Sequence, residues 1–167
     1  MKKNIALLTT SRADYGILRP LIKKLNKSTW CNLSIIVSGT HLSKNHGYTV
    51  NEIKKDGYLV EHQVDITQVG DSPNAICKSL ALGVIGISEC FSKSNYDLLI
   101  LLGDRYEILS AASSALIHNI PIAHIHGGET TLGAIDDSIR HSVTKMADIH
   151  FASNKLHANR IIQMGED

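Results

Sequence analysis

The sequence predicts a doubly wound α/β fold with a mainly parallel sheet, and three observations carry that expectation. Aliphatic runs recur at residues 5–8, 33–37, 98–102 and 122–126, continuous rather than alternating, as strands buried on both faces require. Stretches with helical periodicity separate them. The two later runs each stop at a polar cluster, Gly103-Asp104-Arg105 and Gly127-Gly128-Glu129. Strand, polar turn, helix, strand is the βαβ unit, and right-handed crossovers wind such units into an open sheet.

Taken in order, residues 5–8 form the first strand and 9–16 the loop after it. The next helix carries Ile17, Leu18, Leu21, Ile22 and Leu25 on one face, with Pro20 expected in its tolerant first turn. Residues 33–37 form the second strand, 47–56 a short amphipathic helix stopped by Gly57, and 58–64 a third strand. A loop over 67–72 leads into a long helix over 74–94, by the spacing of Ile76, Leu80, Val84, Ile87 and Phe91. The strand at 98–102 comes next, then a helix through Tyr106, Leu109, Ala112 and Leu116. Asn119-Ile-Pro121 turns it into the strand at 122–126. Asp136-Asp137-Ser138 opens another helix, 149–152 is the last strand, and Ser153 is expected to cap a helix over 155–164. The count is about six strands alternating with about six helices. The chain ends just after a helix, where an α/β protein normally turns into its next strand, so a chain cut from a longer one is expected.

Composition narrows the classes. At 43% hydrophobic and 20% charged residues, the chain is that of a globular domain with a sizeable core. A net charge of +1 favours neither nucleic acid nor an acidic partner. Cys31, Cys77 and Cys90 have no metal or CxxC spacing and read as reduced thiols of a cytoplasmic protein. No signal peptide is expected, and no segment approaching the ~20 apolar residues of a membrane span.

Chemistry is expected at the carboxyl ends of the strands, where ligands bind in such sheets. Asp104 directly follows the most apolar run, where a carboxylate is costly unless paired or used. Arg105 is a candidate partner for it, and capping of the next helix an alternative use. His124 and His126, two apart on a strand, are expected on one side of the sheet. With Glu129 and Asp104 they leave a metal-dependent hydrolase as an alternative reading. Gly127-Gly128 permits close approach of backbone to a ligand. Asp136 and Asp137 meet the helix dipole and form i,i+4 pairs with Arg140 and His141. That explains one aspartate well and leaves the other for function. In the first loop, Arg12 offers a bidentate donor to a phosphate, without any GxGxxG or GxxxxGK fingerprint.

Together, SRADYG, LGDRYE, HIHGGET and GAIDDSIRHSVTKMADIHF resemble the hydrolysing UDP-N-acetylglucosamine 2-epimerases, over the whole chain from Met1. The resemblance implies the first half of a two-domain, glycosyltransferase-B-like architecture. Residues 1–167 would be the N-terminal Rossmann-like domain, and the C-terminal nucleotide-binding domain would lie outside this chain. It implies loss of UDP and the C2 proton to give a 2-acetamidoglucal, then addition of water to give N-acetylmannosamine, the precursor of sialic acid. Asp104 matches the family's essential aspartate, Asp136 and Asp137 its acidic pair, and Arg12 an arginine near the diphosphate. Many relatives carry glutamate where His126 stands, which leaves the acid/base role open between His126 and Glu129.

The expected catalytic set is Asp104, His126, Glu129, Asp136 and Asp137. The expected substrate contacts are Arg12, Arg105, Gly127, Gly128, Arg140 and His141. No metal and no cofactor are expected. The expected partner is a nucleotide sugar, with no nucleic acid and no membrane, in a cytoplasmic homo-oligomer, dimer or tetramer, when full length. The long helix over 74–94 is the candidate contact between subunits. A sugar-binding or dimer-forming module without turnover is the non-enzymatic alternative.

Overall fold

The computed structural model describes residues 1–66, 70–131 and 135–167; the expected loop from Thr67 and the Gly133-Ala134 of the last motif fall outside the described residues in part or whole. Six strands form one parallel sheet in the order β3-β2-β1-β4-β5-β6. They are β1 (Lys3–Thr9), β2 (Cys31–Ser38), β3 (Val60–Val64), β4 (Leu98–Leu102), β5 (Ile122–Ile125) and β6 (Ile149–Phe151). The helices are α1 (Arg12–Asn26), α2 (Val50–Lys55), α3 (Pro73–Lys93), α4 (Tyr106–Ile117), α5 (Asp136–Met146) and α6 (Lys155–Gln163). The strand order reverses between β1 and β4, the place where a doubly wound sheet opens a crevice.

The aliphatic runs feed two cores, because successive strand residues point to opposite faces. Ile5, Leu7, Ile100 and Leu102 pack with Tyr15, Leu18 and Ile22 of α1 and with Val50 and Ile53 of α2. Ala6, Leu8, Leu99 and Leu101 pack on the other face with Ile87 and Phe91 of α3, Ile108 and Ala111 of α4, and Val143 of α5. The central strands are buried on both faces, as their uniform apolarity predicts.

Three local expectations are corrected. α1 starts at Arg12, because the Ser11 hydroxyl accepts from the Asp14 amide at 3.2 Å, so the expected loop is largely helix. Pro20 therefore lies in the helix interior rather than its first turn. At the other end Asn154, not Ser153, caps α6, accepting from the His157 amide at 3.0 Å. Finally, α3 is by length and composition apolar enough to cross a membrane, with a mean hydropathy of 1.5, against the expectation of no such segment. In this fold it packs by one face: Ile87, Cys90 and Phe91 join the core, and α4 fastens to it through Ser110 and Ser114, which donate to the Leu80 and Val84 carbonyls.

Candidate active site

β4 ends at Leu102, Gly103 turns the chain with φ +85°, and Asp104 is left at the carboxyl edge of the sheet. Its carboxylate neither caps α4 nor pairs with Arg105. It accepts instead from the guanidinium of Arg140, which reaches across from α5, and from the Thr131 hydroxyl at 3.1 Å. Arg140 is 6% exposed. It also donates to the His126 carbonyl at 2.8 Å and to Thr131 Oγ1 at 3.1 Å, and lies 3.5 Å from Glu129 Oε2. A buried guanidinium needs such a ring of acceptors, since its desolvation is otherwise uncompensated. The predicted pairing of Arg140 with Asp136 gives way to these partners, because Arg140 turns inward from its helix. Its neighbour pair does form: His141 Nε2 stands 3.6 Å from Asp137 Oδ2. Asp137 also accepts from the Thr131 amide at 3.1 Å, and Asp136 opens the same helix beside it.

Glu129 is the second hub. Ser153 donates to its Oε1 at 2.6 Å, and that oxygen lies 3.6 Å from His126 Nδ1 and 3.7 Å from His157 Nδ1. Burial pushes its carboxyl pKa up, but the Ser153 hydroxyl, His126, Arg140 and His157 together hold it below the usual glutamate value. Glu129 is therefore a fixed anion, while His126 lies beside it with φ +65° and its amide donated to the Phe151 carbonyl at 3.0 Å.

The expected pairing of His124 with His126 does not form. β5 stops at Ile125, and the left-handed turn at His126 takes its side chain out of the strand's alternation. His124 is fully buried, with Nε2 2.8 Å from the Gly103 carbonyl and Nδ1 3.2 Å from Thr144 Oγ1. Burial first of all depresses its pKa to about 4, so it is a neutral structural imidazole that fixes the turn before Asp104. Among the described residues, no three His, Cys, Asp or Glu side chains are grouped to hold a metal.

Other expected contacts are engaged with partners within the protein. Arg12 is exposed and pairs with Glu52 of α2 at 3.2 Å. Gly127 and Gly128 are buried against the protein itself, Gly127 beside His124 and Thr144, and Gly128 beside the His157 carbonyl and Ile161. Arg105 binds Glu107 through Nε and Nη2, at 3.3 and 3.1 Å. Sequence reasoning missed Thr131, Ser153, His157 and Glu107. The i,i+4 spacing of Ser153 and His157, now joined at 2.8 Å, was the one available signal.

Residues 23–167 match the family described as UDP-N-acetylglucosamine 2-epimerase. The chain is 40% identical over 166 residues to the GDP/UDP-N,N'-diacetylbacillosamine 2-epimerase (hydrolyzing) of Campylobacter jejuni, covering 99% of this chain and 43% of that protein. It is 41% identical over 164 residues to an Escherichia coli polysialic acid biosynthesis protein, covering 98% and 42%. The fold superposes on the crystal structure of Neisseria meningitidis UDP-GlcNAc 2-epimerase bound to UDP-GlcNAc with a TM-score of 0.86 at 14% identity, over 98% of this chain and 43% of that one. The chain thus spans less than half the length of the relatives it matches. With a family match over most of its length, this chain belongs to the UDP-N-acetylglucosamine 2-epimerase family.

Proposed function

We propose that this chain is the N-terminal, Rossmann-like half of a two-domain hydrolysing 2-epimerase acting on a UDP-linked 2-acetamido sugar, with UDP-N-acetylglucosamine as the substrate to test first. The observation that carries the reading is the inward-facing Asp104–Arg140–Glu129 network, in a chain of this family. The reaction breaks the C1–O bond with departure of UDP and removes the C2 proton, giving a 2-acetamidoglucal. Water then supplies hydroxide at C1 and a proton at the opposite face of C2, giving the free 2-epimer, N-acetylmannosamine, the sugar from which sialic acids are made.

In this proposal His126 exchanges the C2 proton. Glu129, held ionised, orients the imidazole and stabilises its charged form. Asp104, Asp136 and Asp137 supply the remaining carboxylates, for the oxocarbenium-like charge and the second proton transfer. Arg105 and Arg12 are the cationic groups from which the diphosphate draws its contacts, His141 is a further hydrogen-bonding group, and Arg140 acts behind them through its hold on Asp104 and Glu129. The enzyme works in the cytoplasm, and exposed Leu82 and Ile85 of α3 support a contact between subunits there.

A proton NMR time course tests the reading. UDP-N-acetylglucosamine is incubated with this chain alone and with the chain extended by the sequence encoded after it. Free N-acetylmannosamine and UDP are expected only from the extended chain. Absence of product from both, with UDP-N-acetylglucosamine and with UDP- and GDP-linked diacetamido sugars, refutes it.

A further inference from the structure

Glu107 lies in the first turn of α4 with its side chain wholly buried. A carboxylate withdrawn from water is tolerated only when an opposite charge and hydrogen bonds compensate it. Arg105, two residues earlier, grips both of its oxygens, Nε to Oε2 at 3.3 Å and Nη2 to Oε1 at 3.1 Å. The space for that carboxylate is made by the turn after β2. Gly39 has φ +59°, and a Cβ there would stand 2.7 Å from Glu107 Oε1 and 2.8 Å from the Thr10 carbonyl. That same carbonyl receives the His41 amide at 3.3 Å and the Thr40 hydroxyl at 3.1 Å, so the ends of β1 and β2 wall the carboxylate in.

The Arg105 side chain, by contrast, is 40% exposed. Held along its Nε/Nη2 edge, it keeps both Nη1 protons and the second Nη2 proton. These form the planar fork that fits two oxygens of a phosphate. Arg105 stands after β4, next to β1, at the reversal of strand order where ligands of doubly wound sheets sit. We infer that Glu107 is a positioning residue that locks Arg105 by one edge, so that its other edge receives the diphosphate of the substrate. The identity of that substrate rests on the proposed epimerase reading; the anion-binding fork does not.

The test uses this chain, inorganic pyrophosphate, and the arginine Nε–H signals in a 15N NMR titration. Pyrophosphate is expected to shift the Arg105 signal. Glu107→Gln is expected to weaken pyrophosphate binding about tenfold, and Arg105→Met at least as much. The double variant is expected to bind no worse than Arg105→Met alone, since additivity fails when one residue acts through the other. A folded Glu107→Gln variant with unchanged affinity, penalties that add, or no Arg105 shift at excess pyrophosphate overturns the inference. Should Glu107→Gln not fold, Arg105→Lys decides: it keeps the charge but not the fork, and wild-type affinity in it overturns the inference. In the extended chain, Glu107→Gln is expected to raise KM more than it lowers kcat. Arg105-dependent pyrophosphate binding without sugar turnover would sink the epimerase reading alone, and turnover without such binding would sink the positioning role alone.

Discussion

Arg140 of α5 and Asp104 just after β4, thirty-six residues apart, form one part-buried ion pair that bridges α5 and the end of β4. The pair makes the two residues separable by experiment. Asp104→Asn keeps an oxygen for Arg140 to bind, so the fold survives, while turnover of the extended enzyme is expected to fall by about 10²–10⁴-fold. Near wild-type turnover in the NMR assay would remove Asp104 from the mechanism. Arg140→Met instead removes the cationic partner shared by two partly exposed carboxylates, Asp104 and Glu129, and should cost about 1.5–3 kcal/mol in urea unfolding. A loss well under 1 kcal/mol would show that the network is solvated.

His126 combines a strained backbone with the proposed proton exchange, and substitutions divide the two. Its φ of +65° is a region that asparagine tolerates and β-branched residues do not. His126→Asn is therefore expected to hold or slightly raise stability while turnover drops about 100-fold or more. His126→Val should lose about 1–2 kcal/mol through the left-handed backbone alone. Equal stability of the two variants would contradict the backbone account, and full turnover in the asparagine variant would contradict the catalytic one.

Much of the frame was legible from the residues. The aliphatic runs gave four of the six strands, β1, β2, β4 and β5, within two residues at each end, because strands buried on both faces leave an uninterrupted apolar signature; the edge strands β3 and β6 carry no such run. Asp104 stood out for a physical reason, a charge directly after the run buried at the sheet centre. The errors share a cause: each concerns which partner a polar group chooses when tertiary structure offers more than one. Ser11 opens α1 at Arg12, five residues before the aliphatic periodicity starts at Ile17, so periodicity placed Pro20 wrongly. Arg140 prefers Asp104 and Glu129, distant in sequence, to Asp136 on its own helix. His124 and His126 part because His126 itself is left-handed, which the pattern H-x-H does not encode.

Gly128 ties β5 to α6, and a methyl group tests that tie. Its φ is +71°, and an added Cβ would stand 2.4 Å from the His157 carbonyl oxygen. Gly128→Ala should therefore lose about 2 kcal/mol or more, with faster hydrogen exchange in α6, because backbone rather than a flexible side chain must move. Gly16→Ala is the control: nothing lies within 4 Å of that Cβ, φ is helical, and a gain of about 0.5–1 kcal/mol is expected. Equal effects from the two alanines would show that Gly128 is not a close-packed joint.

The pH dependence of stability should carry the signature of His124. Its folded pKa of about 4 lies below the ordinary 6.5 because burial disfavours the imidazolium. The unfolded chain consequently binds this proton first as pH falls. The stabilisation is complete above pH 6.5 and is lost progressively down to about pH 4, where the folded form also protonates. A shift of that size corresponds to about 3 kcal/mol lost between pH 7 and pH 4. His124→Gln keeps a donor for the Gly103 carbonyl and has no proton to gain. The wild-type advantage over this variant in urea unfolding should therefore shrink by about 3 kcal/mol from pH 7 to pH 4. Glu129, whose carboxyl is held low, titrates in both proteins and cancels in the difference. A pH-independent difference would mean that His124 takes up its proton in the folded state as readily as in water, and that the wall behind Asp104 is open to solvent.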